Sequence, residues 1–428
     1  MKVEITKLAN GLTVVTDPMP GLESAFAGVW VNTGGRNETR PVMGVSHMLE
    51  HMAFKGTERR SARAIAEEIE AVGGYLNAYT SREQTAFHAR TLKADVPLGI
   101  DVLADILTKP TFEQGELERE RQVVLQELGQ SRDTPDDIIF DHLQAAVYPD
   151  QPMGWPILGE ENTVSHFTRE QLRDYMDTHY RADSMLLIAS GAVNHAELVA
   201  MAQEKFASLP QGETPKPHAA VYGGGDVRVN EDLEQAHLTY AFPGVSSSDP
   251  DFYVAQAYVM ALGGGMSSRL FQEVREKRGL CYSVYAFSQS AADSGMIGIY
   301  AGTGEKEAEE ISAVIAGEMA ALAANATDAE VSRAKAQMKS SLLMGLEKPS
   351  TRAEQIASHM FTFGRVLSVA ELTAKLDEID AAAVRRFGER VMTTAKPSTA
   401  GIGPIAKFES HDRFAGRFGA GVRLRAAE

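Results

Sequence analysis

The sequence predicts an α+β protein of two related domains, each an antiparallel sheet with helices packed on one face. Two observations predict this fold class: a loop-rich break near the middle of the chain, and the same order of strands and helices on both sides of it. The break is LPQGETPKPHAAVYGGGD, in which prolines and glycines interrupt periodic segments. We therefore expect an N-terminal domain at 1–213, a linker at 214–225 and a C-terminal domain at 226–428.

The first half contains apolar runs typical of strands and one clear helical segment. Its strand-like runs are GLTVVTD, FAGVWVNTG and the two arms of YLNAYTSREQTAFHARTL, which alternate apolar residues around a polar turn. KADVPLGIDVLADILT follows with apolar residues at helical spacing. A doubly wound parallel sheet would need strict alternation of strand and helix, and this order lacks it.

The second half repeats that order after the break. A strand-like run, AHLTYAFPG, is followed by CYSVYAFSQSAADSGMIGIYAGT, which predicts two strands joined by a turn, and by the amphipathic segment GEKEAEEISAVIAGEMAAL. The two halves agree in pattern more than in identity. This agreement predicts two homologous domains.

Composition and charge narrow the class of protein. The 428 residues are 44% hydrophobic and 23% charged, as in globular proteins, and the formal net charge is -16. Nucleic acids and membrane surfaces are polyanionic, so this charge argues against both as general partners. The N-terminus lacks a signal-peptide pattern, and the longest apolar run, SMLLIASGAV, is far shorter than the roughly 20 residues of a spanning helix. We expect a cytoplasmic protein, or an organelle-matrix protein if it is eukaryotic.

The chain has a single cysteine, Cys281. One cysteine excludes an intrachain disulfide framework and a multi-cysteine zinc site, so a metal must be held by histidine and carboxylate. Cys281 lies in GLCYSVYAF, an alternating run, and this pattern favours a half-buried strand residue over a nucleophile.

The segment PVMGVSHMLEHMAF predicts a helix with two distinct faces. Its apolar residues recur at helical spacing, and His47, Glu50 and His51 lie on the neighbouring face. Histidines at i and i+4 point the same way one turn apart, which suits two imidazoles on one zinc ion. The glutamate between them can act as a general base, in the inverted order of the usual zinc-peptidase motif. The alternative is a solvated polar face.

A catalytic zinc site usually has three protein ligands, so a third must come from elsewhere in the chain. The helical segment EQGELERERQVVLQELGQSRD contains Glu120 and Glu127, seven residues apart and therefore on one face. Most carboxylates of this segment suit a solvated surface. Spacing alone leaves the choice between these two glutamates open.

Four segments together resemble the pitrilysin and mitochondrial processing peptidase family of inverted-motif zinc peptidases. They are HMLEHMAFKGT, GGYLNAYTSREQTAFHA, ERERQVVLQEL and SSRLFQEVREKRGLCYSV, and they span both halves of the chain. The resemblance is greatest to the catalytic, or beta, processing-peptidase subunits and their bacterial homologues. It implies a processing-peptidase-like fold over essentially the whole length.

The resemblance implies one zinc ion per chain, with a role for each residue of the motifs. His47, His51 and Glu127 correspond to the ligands, and Glu50 to the general base. Glu120 corresponds to a carboxylate that orients a ligating histidine. The N-terminal domain would thus be the catalytic one.

In the second half the comparable segment, FYVAQAYVMAL, has no ligands, so the C-terminal domain resembles an inactive repeat. REKRGLCY matches the family's arginine and tyrosine, which here are Arg275 and Tyr282. The resemblance implies that both reach the substrate at the zinc site, where guanidinium and phenol groups can stabilise an oxyanion.

Five further residues are predicted to contact substrate. Asn77 and Ala78 lie on a strand, GGYLNA, that resembles the edge strand on which the family lays an extended peptide. Phe54 could line an apolar pocket on the zinc-facing side. Asp137 and Asp141, at i and i+4 on a continuation of the Glu127 helix, could receive a substrate arginine. A solvated acidic face is the alternative for this pair.

Together these observations predict a zinc metalloendopeptidase that cleaves unfolded peptides or presequence-like segments near basic residues. The resemblance implies a dimer, either of two identical chains or with a related zinc-less subunit. Two alternatives come from the same family: a non-catalytic structural core subunit of a larger complex, and a catalytic subunit that needs an obligate heterodimer partner. The complete ligand set argues against the structural alternative.

Overall fold

A computed structural model describes residues 3–394 and 396–419 of the chain. It divides into two units, each with its own sheet and core. Unit 1 comprises the chain up to Gln130, Trp155–His218 and Met344–Val366. Unit 2 comprises Ser131–Gly154, Ala219–Leu343 and the chain from Leu367 onwards. Each unit therefore includes a segment from the other half of the sequence.

The strands form one sheet in each unit. They are β1 Glu4–Lys7, β2 Thr13–Pro18, β3 Ser24–Val31, β4 Tyr75–Thr80, β5 Thr85–Leu92, β6 Met185–Gly191, β7 Asp226–Asn230, β8 Ala236–Pro243, β9 Cys281–Ser290, β10 Gly295–Thr303 and β11 Ser398–Gly403. The order is β1-β2-β6-β3-β5-β4 in unit 1 and β7-β11-β8-β10-β9 in unit 2.

The α-helices are α1 Val45–Ala53, α2 Ala62–Ala71, α3 Val96–Thr108, α4 Gln114–Arg132, α5 Pro135–Val147, α6 Glu161–His166, α7 Arg169–His179, α8 His195–Lys205, α9 Phe252–Gly263, α10 Ala308–Asn325, α11 Asp328–Gly345, α12 Pro349–Phe363, α13 Val369–Asp377, α14 Ala381–Thr394 and α15 His411–Ala415. A π-helical segment, Phe271–Lys277, precedes β9. None of the helices in the described part of the chain is long and apolar enough to cross a membrane.

The two sheets repeat one topology, which confirms the predicted pair of related α+β domains. The run β2-β6-β3-β5-β4 corresponds strand for strand to β7-β11-β8-β10-β9. The pairs β2/β6 and β7/β11 are parallel, and the other pairs are antiparallel. The sheets are therefore mixed, not purely antiparallel. The sequence pattern missed β6 and β11, which return from distant parts of the chain to the centre of each sheet.

Helices cover both faces of the unit 1 sheet, where the sequence predicted one covered face. The main core contains buried residues of α1, α3 and α7. On the other face, Ala353, Ile356 and Ala357 of α12 pack against Trp30 and Ile188. Burial on both faces explains why β3 and β6 are almost continuously apolar.

In unit 2 the helix α5 has the place that α12 has in unit 1. Ile139, Leu143 and Val147 of α5 pack against Ala241 and Ile402 of the sheet. The sequence suggested that α5 continues α4, but α4 ends at Arg132 and α5 begins at Pro135. A proline disfavours helical geometry at the residue before it, which accounts for the break.

A buried ion pair joins α12 to the unit 1 sheet. The guanidinium of Arg352 donates to the carboxylate of Asp17 on β2, and the two residues are 7% and 3% exposed. Asp17 Oδ1 has no hydrogen-bond partner within the described residues. Removing one partner of such a pair leaves an uncompensated buried charge.

We therefore expect Arg352→Met to lower the free energy of unfolding by about 3–5 kcal/mol, measured by urea denaturation. The double variant Arg352→Met with Asp17→Asn should recover at least half of the loss, because no buried charge remains. Ser358→Ala, at an exposed position of α12, is the control and should change stability by less than about 0.5 kcal/mol. Equal losses in the single and double variants would contradict this account.

Candidate metal centre

Helix α1 places the predicted metal-binding residues at the border of the core. Met48, Leu49 and Met52 are buried, as their spacing predicted. His47 and His51 lie beside them with partly exposed side chains, 14% and 18%. The nine-residue helix thus has its apolar face in the core and its histidine face at the surface.

A buried glutamate holds the N-terminus of this helix. Gly44, the residue before α1, has φ +91°, a conformation that favours glycine. Glu38 accepts hydrogen bonds from the N–H of Gly44 at 2.7 Å and of Ser46 at 2.8 Å. Glu38 is 4% exposed, and burial raises its pKa to about 7, although these hydrogen bonds oppose the rise. No periodic pattern in the sequence points to this residue.

Three predicted ligands converge on one point. His47 Nε2 lies 3.8 Å from Glu127 Oε2, and His51 Nε2 lies 3.5 Å from the same oxygen. The three ligand atoms lie within 4.8 Å of one another, and they form the one such group of three or more His, Cys, Asp or Glu side chains in the described residues. Helix α4 supplies Glu127 two turns after Glu120, on the same face.

Glu120 holds the ring of His51, and Lys55 in turn holds Glu120. His51 Nδ1 lies 3.0 Å from Glu120 Oε2, and Lys55 Nζ lies 2.6 Å from Glu120 Oε1. Burial would raise the pKa of Glu120, but the hydrogen bonds with His51 and Lys55 lower it overall. The carboxylate therefore stays ionised. With Nδ1 donating to Glu120, the neutral His51 ring turns the lone pair of Nε2 toward Glu127.

The two histidines differ in their electrostatic surroundings. Burial and then the nearby His51 lower the pKa of His47 to about 4, so His47 is neutral at neutral pH. Burial also lowers the pKa of His51, but its bond to Glu120 and the charges of Glu127 and Glu50 outweigh burial and raise it. His47 thus offers a neutral nitrogen donor, and the carboxylates around His51 create a field that favours a cation.

These residues fit a zinc ion. Zinc bonds of about 2.0–2.2 Å to nitrogen and oxygen put neighbouring tetrahedral ligand atoms about 3.4 Å apart. The separations of 3.5 and 3.8 Å lie close to that value. When both imidazole rings are neutral and their Nε2 atoms carry no proton, the two Nε2 lone pairs and Glu127 Oε2 face one another with no hydrogen between them. A divalent cation held by His47, His51 and Glu127 resolves that conflict.

Glu50, the predicted general base, lies in the same site. Its Oε2 accepts a 2.6 Å hydrogen bond from the hydroxyl of Thr80 at the end of β4. Burial raises the pKa of Glu50, against the effects of Thr80 and His51. Sequence reasoning missed Thr80 and Lys55, although both lie within the motifs quoted above. Their contacts with Glu50 and Glu120 depend on the packing of β4 and α4 against α1, which the sequence alone does not show.

Three of the predicted substrate residues, Asn77, Ala78 and Phe54, lie in unit 1. Asn77 and Ala78 are on β4, which is the edge strand of the sheet. Ala78 N–H donates to Asn77 Oδ1 at 2.9 Å, and Asn77 Nδ2 donates to the hydroxyl of Tyr75. Phe54 is partly buried, and its ring centroid lies 6.1 Å from that of Phe87 in the core.

The remaining predicted residues lie in unit 2. The guanidinium carbon of Arg275 is 5.4 Å from the ring centroid of Tyr282, which is 75% exposed. Asp137 is exposed and Asp141 half-buried, both on α5. Cys281 is half-buried on β9, and burial raises the pKa of its thiol to about 11, so it is a poor nucleophile at neutral pH.

Comparisons with known proteins identify the family of the chain. Residues 13–161 match the insulinase family of M16 peptidases, and residues 166–338 match the M16 peptidase inactive domain. A Rickettsia felis protein named an uncharacterized zinc protease is 39% identical over 401 residues, which cover 94% of this chain and 97% of that protein. The chain belongs to the M16 peptidase family. The family resemblance predicted from the four motifs is thereby confirmed.

Two further proteins are similar to this chain over most of its length. The probable mitochondrial-processing peptidase subunit beta of Arabidopsis thaliana is 37% identical over 428 residues, covering 96% of this chain and 80% of that protein. A chain of complex III2 from Candida albicans has a TM-score of 0.85 at 22% identity, covering 97% of this chain and 99% of that one. The second likeness shows the fold alone.

The pKa of Glu38 predicts a pH-dependent stability. The folded protein holds this proton up to a pH of about 7, whereas an unfolded glutamate loses it near 4.5. The folded state therefore binds more protons between these values, and the contribution to the free energy of unfolding falls as pH rises through this window. This contribution is fully present below a pH of about 4.5 and has been lost above a pH of about 7.

We expect Glu38→Gln to remove this component. Relative to the wild type, the variant should gain about 3 kcal/mol in free energy of unfolding between pH 4.5 and pH 8, after a constant cost from the changed acceptor. Urea denaturation of metal-free protein at several pH values measures the difference, in which other titrating groups cancel. A wild-type minus variant difference that does not vary with pH would refute the buried titration.

Proposed function

We propose that the protein is a zinc-dependent endopeptidase in which His47, His51 and Glu127 hold the metal. The observation that carries the proposal is the convergence of two imidazole Nε2 atoms on one carboxylate oxygen, at 3.8 and 3.5 Å, with Glu50 on the same helix turn. The names of the relatives, zinc protease and processing peptidase, support it.

The chemistry follows from the ligand set and its neighbour. A zinc ion held there polarises a peptide carbonyl and lowers the pKa of water. Glu50 takes the proton from the attacking water and returns it to the leaving amine. Burial raises the pKa of Glu50, which brings it nearer to neutral pH and suits both transfers. The hydrogen bond from the Thr80 hydroxyl fixes the direction of the Glu50 carboxylate.

The edge strand β4 supports an extended substrate. One side of β4 pairs with β5, and the other side has no strand partner within the described residues. Ala78 N–H bonds to the side chain of its own neighbour, Asn77, so a backbone carbonyl of substrate can replace that acceptor. Such pairing requires an unfolded segment and reads little of its sequence.

The second half supplies two further donors in this proposal. Arg275 and Tyr282 would bind the substrate carbonyl or the oxyanion that develops on it. Their mutual contact, 5.4 Å from guanidinium carbon to ring centroid, supports a joint role.

A dimer is part of the proposal, either of two identical chains or with a related zinc-less subunit. The relative named as a subunit beta supports the second form. The alternative of a structural subunit is weaker, because such a role needs neither a ligand set nor Glu50.

The central prediction concerns metal and base. The purified protein should contain about one zinc per chain and cleave an unstructured basic peptide, and a chelator should stop cleavage until zinc is restored. Glu50→Gln should keep the zinc and lower kcat by at least about a hundredfold. Metal analysis and peptide cleavage measured by mass spectrometry provide both readouts.

Glu67→Gln, at an exposed site on α2, is the matched control and should keep full activity. Full activity in Glu50→Gln would sink the mechanism. Zinc without cleavage would favour an obligate partner, and absence of both zinc and cleavage would favour the structural alternative.

Substrate preference for basic residues is a separate prediction. Asp137→Asn with Asp141→Asn should lower kcat/KM for an arginine-containing peptide roughly tenfold, equivalent to about 1.4 kcal/mol, because the arginine loses a charged partner. The same peptide with norleucine in place of arginine should be unaffected. Asp133→Asn, at an exposed position before α5, is the control. An unchanged preference in the double variant would leave the acidic pair as a solvated surface.

A further inference from the structure

The outer face of the unit 1 sheet holds a polar contact between α12 and the edge strand. Glu354 Oε2 of α12 accepts hydrogen bonds from the hydroxyl of Tyr79 at 2.7 Å and from Trp30 Nε1 at 3.1 Å. Trp30 is fully buried on β3, and Tyr79 is on β4. Burial, and then the charge of Glu354, raise the pKa of Tyr79 above its usual value, so its hydroxyl keeps the proton that it donates.

The residue after Tyr79 is Thr80, which donates to Glu50 on the opposite face of the same sheet. Successive side chains of a strand point to opposite faces, so β4 separates the two contacts by one backbone step. The Thr80 hydroxyl lies 2.6 Å from Glu50 Oε2. A shift of β4 at Tyr79 therefore displaces the hydrogen bond that orients Glu50.

Apart from the packing of its side chains against the core, strand β4 has few other restraints. As an edge strand it has one strand neighbour, β5, and it ends at Thr80. The interior strand β3 pairs on both sides, with β5 and β6. The Glu354 contact gives β4 a second attachment, to a fully paired strand through Trp30 and to α12.

We propose that Glu354 is a positioning residue for catalysis, which holds β4 through Tyr79 so that Thr80 keeps Glu50 aimed at the metal centre. This inference rests on the proposed endopeptidase function. It assigns a role in the site to a helix from the second half of the sequence. If Glu354 only satisfied the buried N–H of Trp30, it would make the same contacts, but its replacement would not lower kcat.

The variants separate these roles. Glu354→Leu removes the acceptor of the Tyr79 hydroxyl and leaves Trp30 Nε1 only the Tyr79 hydroxyl, at 3.3 Å, whereas Glu354→Gln keeps an amide oxygen in the same place. Tyr79→Phe removes only the β4 end of the contact. Arg352→Met is the matched control, since it weakens the attachment of α12 to β2 and does not touch β4.

Four quantities are measured for each variant: zinc content, unfolding midpoint, kcat and KM, with activity assayed well below every unfolding midpoint. We expect Glu354→Leu and Tyr79→Phe each to lower kcat about tenfold with zinc content unchanged, a partial loss of the effect of a general base. Glu354→Gln should recover most of the loss. The double variant Glu354→Leu with Tyr79→Phe should be no slower than the slower single variant.

Arg352→Met should lose stability and keep kcat within twofold. A kcat within twofold of the wild type in Glu354→Leu would overturn the proposal, as would an equal fall in Arg352→Met or strictly additive losses in the double variant. The Glu50→Gln variant separates a failure of the proposed function from a failure of the positioning role. If it remains active, the proposed function is wrong and the positioning role with it. If it is inactive while Glu354→Leu is not, only the positioning role is wrong.

Discussion

The metal centre depends on the fixed position of one short helix. A nine-residue helix is not stable by itself in water, so the direction of the histidines of α1 is set by what holds its ends. At the N-terminus Glu38 accepts two backbone N–H groups. Beyond the C-terminus Arg59 and Arg60 both donate to Asp105, whose side chain is fully buried on α3. These contacts make the chain between the ends rigid enough to carry two ligands and a base.

Burial and the charges around the helix shift the pKa values of the two candidate metal-binding histidines in opposite directions. Lys55 and His51 keep Glu120 ionised, and Glu120 then orients the His51 ring through Nδ1. His47 needs no such partner to be neutral, because burial already lowers its pKa to about 4. The pKa values of these two histidines, one turn apart, are thus shifted in opposite directions. Desolvation lowers the first, and a hydrogen-bonded carboxylate raises the second.

Much of the fold and part of the site could be predicted from local patterns in the sequence. Spacing predicts α1 and the side of it on which His47 and His51 lie, because the helical period is a local property. Spacing could not choose Glu127, since Glu120 lies on the same face of α4, and the choice came from the family resemblance. Thr80 and the strands β6 and β11 were missed because their contacts join residues far apart in sequence.

Helices α5 and α12 each come from one half of the sequence and belong to the unit that is built mainly from the other half. Helix α12 comes from the second half of the sequence, yet it packs on the sheet of unit 1, the unit that contains the candidate metal centre. Without it, Trp30 and its apolar neighbours on that face would be exposed to water, at a cost of roughly 25 cal/mol for each Å². Helix α5 covers the other sheet in the same way. The second half of the sequence is therefore necessary to unit 1, because the first half alone leaves one face of its sheet uncovered.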